Sequence, residues 1–198
     1  SDDLYQWPMF WQMLQQYFDR KISRVLCIDV SHHQGSSTYV SVVYCGETGM
    51  EKALYRTYKV DCGGDDYEAI KQGLKKKLAR GDLDQDTLWI IDGGIGQINA
   101  AHTVLEDNFG IITSASKGPK REWGKEKYYR FKDRPELFQW PADMMKYILH
   151  IRDEAHNTAI NMHRRALRKQ SLRSVLDNVH GIGTVSYTHL RAHETVRN

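Results

Sequence analysis

The sequence predicts an α/β fold built on one sheet of mixed direction, antiparallel strands first and parallel strands after, with helices covering the sheet. Three observations predict it. From Arg24 onward, three runs rich in Val, Ile, Tyr and Thr follow one another across Gly-containing turns. Residues 88–116 read as strand, helix, strand, and a long amphipathic helix follows Pro141. The 198 residues, 40% of them hydrophobic, supply apolar material for one sizeable core.

The elements follow in order. Residues 4–18 carry Trp7, Phe10, Trp11, Leu14, Tyr17 and Phe18 at helical spacing, with Pro8 in the first turn. Residues 1–23 are thus either a helical arm that docks an aromatic stripe or a linker. RVLCIDVS, TYVSVVYC and EKALYRTYKV form a three-stranded antiparallel meander. Gly63-Gly64 ends it, Asp65 caps a helix over residues 66–80, and Gly81 stops that helix. TLWIID is a short buried strand, GGIGQ a turn, INAAHTVLEDNF a helix and GIITSAS a parallel strand. YYRF and ELFQW form a hairpin; the long helix runs to about Lys169 and a separate short one spans 171–178.

Composition excludes several classes. No window approaches the roughly 18 to 20 apolar residues of a membrane span, and the start lacks the pattern of a signal peptide. Cys27, Cys45 and Cys62 are odd in number and far apart, which argues against a disulfide framework or zinc site and fits a cytoplasmic protein. The net charge of +3 hides a strong asymmetry: residues 117–134 carry net +5, residues 152–173 net +4, and the rest of the chain net −6. Two basic stretches on an acidic body suit a polyanion such as nucleic acid, although solvated helix faces produce the same pattern.

Two carboxylates stand out against their surroundings. Asp29 interrupts the apolar run VLCIDV, and Asp92 ends IID before Gly93-Gly94. Each costs several kcal/mol if buried alone. If the strands are neighbours, a divalent cation makes the pair tolerable; taken singly, either Asp reads equally well as a cap. DGGIGQ matches neither a dinucleotide fingerprint nor a phosphate loop. On the last helix Met145, Leu149, Arg152, His156, Ile160 and His163 form one stripe that begins apolar and turns polar. Three polar groups on one inward face point to a site.

At these residues the sequence resembles the carboxy-terminal endonuclease domain of UvrC, a component of the bacterial UvrABC excinuclease. The likeness lies in CIDVSHHQG at 27–35, GGDDYEAI at 63–70, LWIIDGGIGQINAA at 88–101, SASKG at 114–118, RDEAHNTAINMHRR at 152–165 and LDNVHGIG at 176–183. It implies a ribonuclease H-like domain over 24–170, the start of a truncated helix-hairpin-helix region at 171–183, and an unrelated tail at 184–198. It also implies a site in which Asp29, Asp92 and His156 hold Mg²⁺ or Mn²⁺, His156 acting as ligand or proton carrier. A further acid falls on Asp66 or Asp65.

The implied activity is hydrolysis of a phosphodiester bond 5′ to a lesion in double-stranded DNA during nucleotide excision repair. Lys117, Arg152, Arg164 and Lys169 are the expected DNA contacts, UvrB the direct partner and UvrA an indirect one. Ile95 stands where that family has Lys and His33 where it has Thr. The first departure raises an alternative, a catalytically impaired DNA-binding or scaffold domain. His189 and His193, spaced H-x-x-x-H, are set aside as a metal motif.

Overall fold

The computed structural model describes residues 4–33, 37–117 and 126–179. Its elements are α1 (Trp7–Phe18), β1 (Arg24–His32), β2 (Thr38–Gly46), β3 (Gly49–Met50), β4 (Arg56–Val60), α2 (Asp66–Leu78), β5 (Thr87–Asp92), α3 (Ile95–Leu105), β6 (Ile111–Ser116), β7 (Lys127–Phe131), β8 (Pro135–Phe138) and α4 (Met145–Asn178). The chain divides into two compact units, Ser1–Ile160 and Asn161–Asn198.

One eight-stranded sheet in the order β3-β2-β1-β5-β6-β7-β8, with β4 also paired to β2, organises the first unit. β1 is central: it runs antiparallel to β2 and parallel to β5. That position explains its sequence, because a strand covered on both faces needs apolar residues at odd and even positions alike. Val25 and Cys27 enter one cluster with Phe10, Leu14, Tyr147 and Ile151. Leu26 and Ile28 enter another with Ile70, Leu74, Ile98 and Leu105. Helices α1 and α4 therefore cover one face, α2 and α3 the other.

The expected mixed sheet is present, with three local differences. EKALYRTYKV is not one strand: a 3-10 turn at Lys52–Leu54 occupies its first half and only Arg56–Val60 is β4, while the short β3 lies just before the run, both strands pairing with β2. The helix after β5 begins at Ile95, earlier than INAAH suggests. The separate helix at 171–178 is the end of α4, since no Gly or Pro interrupts residues 145–178.

Asp65 caps α2 as expected, its Oδ1 accepting from the backbone N–H of Tyr67 at 2.9 Å and of Glu68 at 3.3 Å. Asp65→Ala is expected to cost about 1 kcal/mol, read as a lowered urea midpoint with an unchanged slope. Helix α1 is no loose linker: Phe10, Trp11, Leu14 and Phe18 are buried in the α4-side cluster.

Candidate active site

Parallel pairing brings Ile28 opposite Ile91, so the next residues, Asp29 and Asp92, emerge side by side at the carboxyl ends of β1 and β5. Gly93 then lets the chain turn. Its φ of +144° suits glycine, and a Cβ there would lie 2.3 Å from Cγ of Gln97, whose Oε1 accepts from the Gly94 N–H at 2.9 Å. The turn that aims Asp92 and starts α3 is thus one packed unit.

Asp29 is buried. Burial first, then the charge of Asp92 and a hydrogen bond to it, push the Asp29 carboxyl up to about 8, with Lys117 pulling the other way. At neutral pH Asp29 therefore keeps a proton and donates it to Asp92.

Helix α4 lays an imidazole and a guanidinium over this pair. His156 Nδ1 lies 3.4 Å from Asp29 Oδ2, and Arg152 Nη2 lies 3.7 Å from Asp92 Oδ1. Four residues apart, the two project from one helix face. That face is the flank of the buried one. The core-facing residues are Ile148, Ile151, Ala155 and Ala159, and of the predicted stripe Leu149, Arg152 and His156 border the cleft. Arg152, one of the expected DNA contacts, has a largely buried side chain beside Tyr128 and Asp92, at the wall of the cleft.

Two cavities open on this sheet edge. One of about 240 Å³ lies under α4, bounded by Asp29, Asp92, Lys117, Glu126, Arg152 and His156. The other, about 210 Å³, lies against α2 and α3; it shares Asp29, Asp92 and Lys117 and adds Asp66 and Gln97. Asp66, not the capping Asp65, faces the site. Arg164 and Lys169 are exposed on the second unit. His189, His193, the tail at 184–198 and residues 118–125 of the first basic stretch lie outside the described residues.

Among the described residues no three His, Cys, Asp or Glu side chains form a ready-made metal cage. The donor chemistry nevertheless fits a hard divalent cation. Two carboxylates are forced together, one of them holding its proton, and a bridging cation would relieve that conflict. Sequence reasoning misses two residues here. In the sequence Glu126 is only a negative charge within a basic stretch. His32 reads as part of a turn, although it ends β1 three residues after Asp29.

Among the described residues, no helix is long and apolar enough to cross a membrane. The sequence profile of the UvrC RNase H endonuclease domain matches residues 15–160. UvrABC system protein C of Dichelobacter nodosus is 37% identical over 181 residues, 86% of this chain and 30% of that protein. The Coxiella burnetii protein of the same name is 38% identical over 172 residues, 82% of this chain and 28% of that protein. The chain thus spans about 30% of the length of the curated relatives it matches. A crystal structure of human endonuclease V aligns with a TM-score of 0.45 at 12% identity, over 80% of this chain and 99% of that one. The profile match covers well over half of the sequence and contains Asp29, Asp92 and His156, and the chain belongs to the family of UvrC RNase H endonuclease domains.

Proposed function

We propose that the domain is a metal-dependent endodeoxyribonuclease that hydrolyses one phosphodiester bond 5′ to a lesion in double-stranded DNA during nucleotide excision repair. The observation that carries this reading is the Asp29–Asp92 pair at the sheet edge, with His156 against it. Asp29 and Asp92 would hold Mg²⁺ or Mn²⁺, with His156 completing the protein donors. When bound, that ion supplies Lewis-acid polarisation of the phosphate and a water of lowered pKa.

The chain's own groups do the rest. Asp29 gives up its proton as the pair takes on its ionised form. Arg152 holds Asp92 aimed at the cleft, a positioning role. His156, more than half exposed, either completes the protein donors or instead carries a proton between the cleft and solvent. Lys117 borders both cavities and neutralises phosphate there. Arg164 and Lys169 contact backbone phosphates, giving grip without base selectivity. In a longer protein the partners would be UvrB and, through it, UvrA, in the cytoplasm.

The test is nicking of a duplex with one defined lesion, with Mg²⁺ or Mn²⁺ and with a chelator. Parent protein is expected to nick only with metal, and Asp92→Ala and His156→Ala to lose at least about 100-fold. Equal nicking by all three proteins excludes the reading. A second reading, a domain that binds DNA without cutting it, is favoured by Ile95, half exposed as the first residue of α3. Salt-dependent binding with no metal-dependent nicking by the parent selects it.

A further inference from the structure

Asp66 reaches the candidate site from the opposite side of the sheet to His156. It is the first residue of α2 and about half exposed, a position from which a carboxylate ordinarily samples several rotamers. It does not stand alone. His32, the last residue of β1, directs Nε2 onto Asp66 Oδ1 in a short contact. The other ring nitrogen, Nδ1, lies 2.9 Å from Thr38 Oγ1. Thr38 is buried and is the residue paired with His32 in the β1–β2 register, so its hydroxyl is fixed by the sheet.

Strand alternation makes this arrangement specific. Odd-numbered Cys27 faces α4 and even-numbered Ile28 faces α2 and α3, so His32 emerges toward α2 while Asp29, three residues earlier, belongs to the α4 side. One strand thus supplies a carboxylate to one side of the edge and an imidazole to the other. The Thr38–His32–Asp66 chain runs to the cavity whose other carboxylates are Asp29 and Asp92.

We propose that His32 is a positioning residue that holds Asp66 in the rotamer facing Asp29 and Asp92, with Thr38 fixing the imidazole ring. Nε2 donates to the Asp66 carboxylate, and Thr38 sets the ring plane through Nδ1. A mobile carboxylate at the site mouth thereby becomes a placed one on the wall of the cavity. This proposal rests on the endonuclease reading only for its kinetic consequence; the contact itself is independent of it.

Two measurements on the full chain test the proposal. In ¹⁵N NMR of the imidazole rings, the parent is expected to show His32 protonated at Nε2 with slowed exchange, and Asp66→Ala to lose that signature. An unchanged His32 ring in Asp66→Ala overturns the contact, whatever the protein cleaves. In nicking assays His32→Ala is expected to lower kcat by roughly 10- to 100-fold with KM for the duplex unchanged. His32→Gln, which returns an N–H donor at similar reach, is expected to recover most of the loss, and Thr38→Val to show a smaller loss. In an Asp66→Ala background His32→Ala should cost nothing more. Losses that multiply, or a His32→Gln as slow as His32→Ala, overturn the positioning role. A parent that nicks no duplex overturns the endonuclease reading instead, and the ring spectra still decide the contact.

Discussion

Asp29→Asn is expected to abolish nicking, by at least about 1,000-fold, and at the same time to make the folded protein more stable at pH 8. Both effects come from one cause. In the folded chain the Asp29 carboxyl is raised to about 8 by burial and by Asp92; unfolded, it titrates near 4. Between those values the folded state holds a proton that the unfolded state has released. Stability therefore falls as pH rises from about 4 to about 8, and the cost is fully present above that. A shift of this size amounts to several kcal/mol by linkage. Asparagine carries no charge and its amide can donate to Asp92, so the conflict and its pH dependence both go. Urea unfolding at pH 5, 6.5 and 8 should show a falling midpoint for the parent and a nearly flat one for Asp29→Asn, the curves converging toward pH 4 to 5. Mg²⁺ should raise the parent's midpoint at pH 8 and leave the variant's unmoved. A variant less stable than the parent at pH 8 would mean that Asp29 is held by favourable partners and not by a repulsive one.

That conflict is also what makes the site legible. A charged residue inside VLCIDV or at the end of TLWIID departs from what a buried strand requires, and each can be named without coordinates. Their adjacency cannot, because it depends on β1 pairing with β5 across about sixty intervening residues and not with its neighbour alone. Periodicity finds His156, but it fixes the stripe and not its rotation. The core takes Ile148, Ile151 and Ala155, leaving Arg152 and His156 on the shoulder over the cleft. Arg152 illustrates the limit: the sequence shows only a cation on the stripe, and the fold is needed to show that it is largely buried beside Asp92. His32 carries no visible signal in a stretch that reads as a turn. Its part depends on which face of β1 it leaves and on where α2 begins.

The amphipathic stretch at 4–18 is ambiguous in the same way, since an aromatic stripe shows that a helix has an apolar face but not what it meets. It meets α4. Phe10 stacks on Tyr147 with ring centroids 4.6 Å apart, and the Tyr147 hydroxyl accepts from the Gln6 N–H at 3.0 Å. The Trp11 indole donates to the Ile22 carbonyl, tying the middle of α1 to the chain entering β1. Phe10, Trp11, Leu14 and Phe18 are all buried. At about 1.5 to 3 kcal/mol for each such side chain, removing α1 forfeits roughly 6 to 12 kcal/mol, as much as the whole stability of an ordinary domain. A chain beginning at Lys21 is therefore expected to lose its cooperative thermal transition and to bind a hydrophobic dye, even though every candidate site residue is retained. A milder cut separates support of the fold from support of the site. Phe10→Ala should cost about 3 to 5 kcal/mol. Because Phe10 packs on Tyr147, five residues before Arg152 on α4, nicking should also weaken at temperatures where the variant is still folded. A truncated chain that melts cooperatively at the parent's temperature would show instead that α1 merely rests on the domain.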